Sequence, residues 1–537
     1  MPFKVLVTDD IDPEGVALLA AEPQLRVDEV PTLPKEELYE RIPDYDAIVG
    51  RSATRISEEL LRRATRLRVV GRAGVGVDNI AMDVATEMGV AVLNAPAGNT
   101  IAVAELFFGT VLTLLRHIAR ADASMHAGRW DRSQLLGREL KGRTLGIVGV
   151  GRIGSEVAVR AQAFGMEVLG FDPYVADARF QALRLRRAPT LDALLDESDI
   201  VTVHTPLNDE TEGMIGRREL GRLSSDAIVC NLARGGIVAE DALLAALEGG
   251  RLGGAVLDVY TKEPLTGDHP FRSRADVVLT PHIGASTAEA QRNVAVDVCR
   301  AVRDALLAGE LGGSVNLAQI AGRDWRDLRG ALQMVQRAAA IARAILADQG
   351  VRTVQRVTVR CGPELAGGQG VLASAAAVGV LEGVMESERL NLISARALAE
   401  ARGIELAVTE SAQLGHPAAI EVALSAGMNE LAVGGVAPRD GTPRLTRIGG
   451  FHVDVMPRHT LVIITNKDVP GVIGRVGTLL GDAGVNIAEY HQARLAQGGQ
   501  ALAAITVDTP VGPELCRRLI ELPDVLTATI VRFKDGM

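Results

Sequence analysis

The run Gly149-Val150-Gly151-Arg152-Ile153-Gly154 has the form G-x-G-x-x-G. It follows an apolar stretch, residues 145–148, that reads as a strand. It opens a segment with Val157, Ala161 and Phe164 at i, i+4 and i+7, one face of a helix. A second strand, 167–171, ends at Asp172, 18 residues beyond Gly154. In such a unit the first glycine permits the tight turn, the second lets the backbone approach a pyrophosphate, and the third lets helix and strand pack closely. The helix start then presents unpaired N–H groups to the phosphates. Asp172 suits ribose hydroxyls and repels a 2′-phosphate, and Pro173 and Tyr174 follow it, not an arginine. NAD is therefore the expected cofactor, ahead of NADP.

Three ionisable residues stand where such chemistry needs them. Arg234 follows the apolar run 227–232, Glu263 lies just beyond 255–259, and His282 follows 276–279. In a parallel sheet these are carboxyl ends of strands, where ligands bind. Oxidising an alcohol to a ketone sends a hydride to a nicotinamide and a proton to a base, and histidine titrates near neutrality. A carboxylate beside it fixes the tautomer and favours the imidazolium, and an arginine can hold a substrate carboxylate bidentately. Each of the three also has a bland reading as a solvated charge; the set on consecutive strands carries the functional one. Ser286 and Glu289 read as a capping box for the helix that follows.

The elements that would position these groups alternate along the first 310 or so residues. Apolar runs such as KVLVTDD, YDAIVGR, LRVVGRAG, SDIVTVHTP and ADVVLTPH are separated by helix-length segments. Continuous apolar runs in a βαβα rhythm predict parallel sheets covered on both faces. Residues 321–457 are rich in Ala and Gly, with helices expected at 330–348 and 371–386 and strands at 355–361 and 405–410. The last 80 residues read strand 460–465, helix 471–481, strands 486–494 and 501–508, helix 513–522 and strand 526–533. That is βαββαβ, the ferredoxin-like plan.

The bulk properties agree with a multi-domain globular chain. It has 537 residues, 47% hydrophobic, with 57 Lys and Arg against 67 Asp and Glu for a net charge of −10. Roughly 150 residues per domain gives about three or four domains. An acidic balance argues against a nucleic-acid footprint. The longest apolar run, near 371–381, is too short to span a bilayer. A cytoplasmic protein with no membrane partner is the expectation. Cys230, Cys299, Cys361 and Cys516 are at least 62 residues apart, so no metal-binding spacing exists and they read as scattered buried thiols.

The motifs GVGRIG, NLARGG, YTKEPL and PHIGAST, with GRSATR (50–55), GRAGVGVDN (71–79) and NAPAGNT (94–100), resemble the D-isomer-specific 2-hydroxyacid dehydrogenase family over essentially the whole chain. The resemblance extends to its long branch with C-terminal regulatory modules. It implies an α/β chain of two doubly wound, Rossmann-like parallel-sheet domains, then an α/β intervening domain and a ferredoxin-like ACT domain. The implied boundaries are 1–97 with 283–315 for substrate, 98–282 for NAD, 316–457 for the intervening domain and 458–537 for the ACT domain. It implies Arg234, Glu263 and His282 as the catalytic trio. Cofactor contacts carried over are Gly149, Gly151, Arg152, Ile153, Gly154, Asp172, Thr205, Ala233, Asp258, His282 and Gly284, with no metal.

The resemblance further implies oxidation of D-3-phosphoglycerate to 3-phosphooxypyruvate with NAD, the first step of L-serine synthesis. Arg51, Arg72 and Asn99 lie in the implied substrate loops, and Arg132 resembles a residue lent to a neighbouring subunit. A homodimer or homotetramer is implied, with L-serine as effector held by Asp468 and Asn486. Two alternatives stand beside this: another 2-hydroxyacid dehydrogenase, reducing hydroxypyruvate, glyoxylate or 2-oxoglutarate, and a NADH-sensing interaction protein.

Overall fold

A computed structural model describes residues 2–318, 325–351, 353–382, 389–439 and 441–533. The chain forms two compact units, one of residues 1–72, 76–94 and 298–537, the other of 73–75 and 95–297.

The first unit begins with a five-stranded parallel sheet in the order Leu25–Glu29, Phe3–Val7, Ala47–Gly50, Val69–Arg72, Ala91–Asn94. Its strands are short apolar runs that become buried on both faces, as in AIVG of Ala47–Gly50. The return segment after residue 298 closes on this sheet. Ser314 bridges Leu93, and Asn316 donates to the Val90 carbonyl at 2.9 Å while accepting the Val92 N–H at 3.0 Å.

A six-stranded mixed sheet follows, ordered Glu405–Glu410, Arg356–Cys361, Ala419–Ala426, Asn429–Val436, Arg444–Ile448, Phe451–Val455. The helices Trp325–Asp348 and Gln369–Leu381 supply its core. They approach so closely that a Cβ on Gly379 would lie 2.1 Å from the Gln336 carbonyl oxygen. The expected helix at 371–386 holds to Leu381, and 383–386 lie outside the described residues. The expected strands at 355–361 and 405–410 are present, but the four antiparallel strands between 419 and 455 were not foreseen.

The C-terminal sheet is wholly antiparallel, ordered Ile487–Arg494, Gln500–Val507, Thr460–Lys467, Val525–Arg532, with helices Val472–Asp482 and Pro513–Ile520. This is the expected βαββαβ element for element. Val462, Ile464 and Ile505 face its own helices. Leu461, Ile463 and Leu502, on the opposite face, join the core built around Trp325–Asp348.

The second unit is a seven-stranded parallel sheet ordered Val277–Leu279, Gly254–Leu257, Ile228–Asn231, Ile200–Val203, Thr144–Val148, Glu167–Phe171, Arg186–Arg187. One face buries a cluster with the helices Thr100–Leu115 and Arg152–Ala163, the other a cluster with Leu191–Glu197 and Glu240–Glu248. Strand order reverses between Thr144–Val148 and Ile200–Val203, which places the crevice of a doubly wound sheet at the end of Thr144–Val148.

The helix Arg152–Ala163 ends one residue short of the expected Phe164, which caps it, 43% exposed and stacked on Phe108 of the cluster that buries Val157 and Ala161. One local expectation is corrected. The cap after His282 is not Ser286 with Glu289, because the Thr287 hydroxyl accepts the Ala290 N–H at 3.1 Å. Among the described residues no single helix is long and apolar enough to cross a membrane, and the run 371–381 is a core helix. Three cysteines are buried, but Cys516 is only partly so.

Candidate active site

The glycine-rich turn sits at the switch point, and its three glycines differ as a dinucleotide cradle requires. Gly149 has φ +93°, and a Cβ there would lie 2.7 Å from the His204 carbonyl oxygen. A Cβ on Gly154 would lie 2.1 Å from the Gly149 carbonyl oxygen, so this glycine lets the helix start close on the turn. Gly151 has nothing within 4 Å of its Cβ position, leaving the second glycine open to a ligand. Arg152 and Ile153 form the first turn of the helix behind it.

Asp172 stands at the end of the neighbouring strand. One carboxylate oxygen accepts the Val150 N–H at 2.9 Å and the other accepts the Tyr174 N–H at 2.9 Å. The acid thus braces the turn that forms the cradle. Thr205, beyond the strand Ile200–Val203, has a buried hydroxyl with no hydrogen-bond partner among the described residues, and the adjacent His204 Nδ1 is likewise buried and unpaired among them. Orphaned polar atoms beside Gly149, in the same turn as the open Gly151, fit a polar ligand such as NAD. Burial holds His204 down to about 4, so it is neutral at pH 7; its Nε2 is 3.0 Å from the Thr202 hydroxyl.

Three neighbouring strand ends carry Arg234, Glu263 and His282. Asn231, 2% exposed, closes the Arg234 turn: its amide donates to the Arg234 carbonyl at 2.8 Å and its oxygen accepts the Ala233 N–H at 3.1 Å. A Cβ on Gly235 would lie 1.9 Å from the Tyr260 carbonyl oxygen, so only glycine lets this turn rest on the 260–261 backbone. Asp258, fully buried, accepts from Thr280 Oγ1 at 2.6 Å, from Ile283 N at 2.8 Å and from Gly284 N at 2.9 Å. Its carboxylate therefore holds the turn bearing His282, which adopts φ +54°. The Tyr260 hydroxyl donates to Thr280 O at 2.9 Å, and burial with the Asp258 charge pushes this phenol up to about 12.

His282 Nδ1 lies 2.6 Å from Glu263 Oε2, and Glu263 Oε1 accepts the Tyr260 N–H at 2.9 Å. A carboxylate can only accept, so Nδ1 carries the proton and Nε2 is the basic nitrogen. Asn231 and Tyr260 brace the turns that carry Arg234 and Glu263, and sequence reasoning missed both. The Asn at the end of a strand two residues before Ala233 was the available signal.

The remaining candidates lie as follows. Gly50 and Arg72 pair in register, so Arg51 and Arg72 issue from adjacent strand ends. Asn99 precedes the helix Thr100–Leu115, and its side-chain oxygen is buried without a hydrogen-bond partner among the described residues. Arg132 is exposed in the 3₁₀ turn Arg132–Gln134, between Trp130, 78% exposed, and Leu136, 90% exposed. In the C-terminal module Asp468 accepts from Gly498 N at 3.2 Å and pairs with Arg494 at 3.3 Å, while Asn486 donates to Asp508.

An open cradle at the switch point of a parallel sheet, with an imidazole–carboxylate pair and an arginine at its strand ends, defines a dinucleotide-dependent oxidoreductase. The profile of the D-isomer specific 2-hydroxyacid dehydrogenase NAD binding domain matches residues 108–284. The D-3-phosphoglycerate dehydrogenase of Synechocystis sp. is 36% identical over 532 residues, 98% of this chain and 94% of that one. The D-3-phosphoglycerate dehydrogenase of Archaeoglobus fulgidus is 36% identical over 533 residues, 98% of this chain and 100% of that one. The structure of D-lactate dehydrogenase from Aquifex aeolicus, complexed with NAD and lactic acid, is similar with a TM-score of 0.51 and 28% identity, over 56% of this chain and 95% of that one.

The chain belongs to the D-isomer specific 2-hydroxyacid dehydrogenase family. It is an NAD-dependent enzyme.

Proposed function

We propose that this enzyme oxidises D-3-phosphoglycerate to 3-phosphooxypyruvate, the first step of L-serine synthesis. NAD, when bound in the glycine cradle, supplies the hydride acceptor. His282 Nε2 takes the hydroxyl proton while Glu263 stabilises the imidazolium on the opposite nitrogen. Arg234 grips the substrate carboxylate, and Arg51 and Arg72, with Asn99 and Arg132, serve the phosphate end. The observation that carries the reading is the 2.6 Å His282–Glu263 contact on the strand ends of the dinucleotide sheet. Similarity over 98% of the chain to relatives bearing the phosphoglycerate name supports this substrate over lactate or glyoxylate.

The four-domain division at 1–97 with 283–315, 98–282, 316–457 and 458–537 belongs to the same proposal, supported by the four separate sheets. So do a cytoplasmic location, a homodimer or homotetramer with Arg132 reaching a neighbouring subunit, and L-serine as effector. Asp468 would take the serine ammonium and Asn486 its carboxylate or hydroxyl. The test is NADH formation with D-3-phosphoglycerate, lactate, glycerate and 2-hydroxyglutarate, each with and without L-serine. Turnover confined to phosphoglycerate and lowered by serine is expected; preference for an unphosphorylated acid would overturn the substrate, and indifference to serine would overturn the effector.

A further inference from the structure

Asp9 is a buried carboxylate, 6% exposed, just beyond the first strand Phe3–Val7. It lies outside the catalytic trio and the cofactor cradle. One of its oxygens accepts the backbone N–H of Arg51 at 2.7 Å and of Thr54 at 2.9 Å. The other accepts the Thr54 hydroxyl at 2.7 Å and the Thr32 hydroxyl at 2.8 Å. From the opposite side, the Asn79 amide donates to the carbonyls of the same two residues, Arg51 at 3.0 Å and Thr54 at 2.7 Å. Residues 51 and 54 are thus gripped at both N–H and C=O.

The backbone is bent to allow this. Asp9 and Asp10 take φ +65° and +51°, unfavourable for any residue with a Cβ, and such strain persists where the surroundings over-determine it. Gly50 has no side chain to obstruct the turn; a Cβ there would lie 2.7 Å from the Thr8 hydroxyl. A buried carboxylate is costly unless fully hydrogen-bonded, and each Asp9 oxygen accepts two bonds here.

We propose that Asp9 is a positioning residue for substrate. With Asn79 as the opposite jaw, it fixes the backbone from which the Arg51 guanidinium meets the substrate phosphate. The inference rests on the phosphate role proposed for Arg51. It places a determinant of KM on an acid that reaches the substrate only through that backbone.

The test is steady-state kinetics and NADH titration of Asp9→Ala, Asp9→Asn, Asn79→Ala, Arg51→Ala and the Asp9→Ala/Arg51→Ala double variant. Asp9→Ala is expected to raise KM for D-3-phosphoglycerate about tenfold or more, the scale on which misplaced contacts act, leaving kcat and NADH affinity within about twofold. Asp9→Asn should recover most of this, because its amide oxygen still accepts both backbone N–H groups. The double variant should be no worse in KM than Arg51→Ala alone. Asn79→Ala is expected to raise KM selectively too, and it carries the test if Asp9→Ala does not fold. If Arg51→Ala raises KM while neither Asp9→Ala nor Asn79→Ala does, or if the double variant is additive, the positioning role is overturned. If Arg51→Ala itself leaves KM unchanged, the phosphate role of Arg51 falls, and this inference with it.

Discussion

His282 Nδ1 and Glu263 Oε2 are 2.6 Å apart, and the second Glu263 oxygen is pinned by the Tyr260 N–H at 2.9 Å. The carboxylate is thus oriented from behind, and it in turn fixes which imidazole nitrogen is basic. Glu263→Gln keeps the shape and removes the charge that favours the imidazolium. Its kcat for phosphoglycerate oxidation should fall about 10²-fold, at the lower end of general-base contributions, with NADH affinity unchanged. Steady-state kinetics paired with fluorescence titration of NADH measures both.

Gly151 and Gly154 separate binding from folding. Gly151→Ala adds a methyl where nothing lies within 4 Å, so the melting temperature should hold while NADH binding weakens. Gly154→Ala forces a carbon to 2.1 Å from the Gly149 carbonyl oxygen, so the turn must move and both should fall. Thermal melts with and without NADH distinguish the two.

Arg234 leaves a turn that Gly235 seats on the 260–261 backbone. Arg234→Lys keeps the charge and loses the planar fork, so kcat/KM should drop about 10- to 100-fold, as expected for one lost charge-assisted pair. A comparable loss with a carboxamide analogue of the substrate would show that the arginine does not read the carboxylate.

His204 makes folding sensitive to acid. Burial lowers its folded-state pKa from 6.5 to about 4. As pH falls below 6.5 the unfolded chain takes up a proton that the folded chain refuses, so stability is full above 6.5 and is lost progressively down to about pH 4. The loss is at most ~3 kcal/mol. His204→Gln should flatten the dependence of melting temperature on pH across that window, relative to the parent.

Much of this molecule was legible because its chemistry is local in sequence. The glycine cradle, Asp172 and the C-terminal βαββαβ each announce themselves within a few dozen residues. The residues that position the site were less visible. Asn231 and Asp9 act through hydrogen bonds to turns, as does Asp258, which the family resemblance named only as a cofactor contact; the Asp9 partners Arg51 and Thr54 are more than 40 residues away. A spacing rule does not see such bonds. The first two strands between 419 and 455 escaped for another reason. Ala419–Ala426 is nearly all buried, and Asn429–Val436 contains two glycines, so neither shows the alternation of a half-exposed strand. The misplaced cap was a choice between adjacent hydroxyls, Ser286 and Thr287, which composition does not rank.

The most direct measurement is NADH production from NAD and D-3-phosphoglycerate by the parent enzyme and by His282→Gln, with NADH affinity taken on both. Turnover in the parent, a loss of about 10²-fold or more in the variant and equal NADH binding are the predicted result. Undiminished turnover in His282→Gln, or none from phosphoglycerate in the parent, would contradict the account.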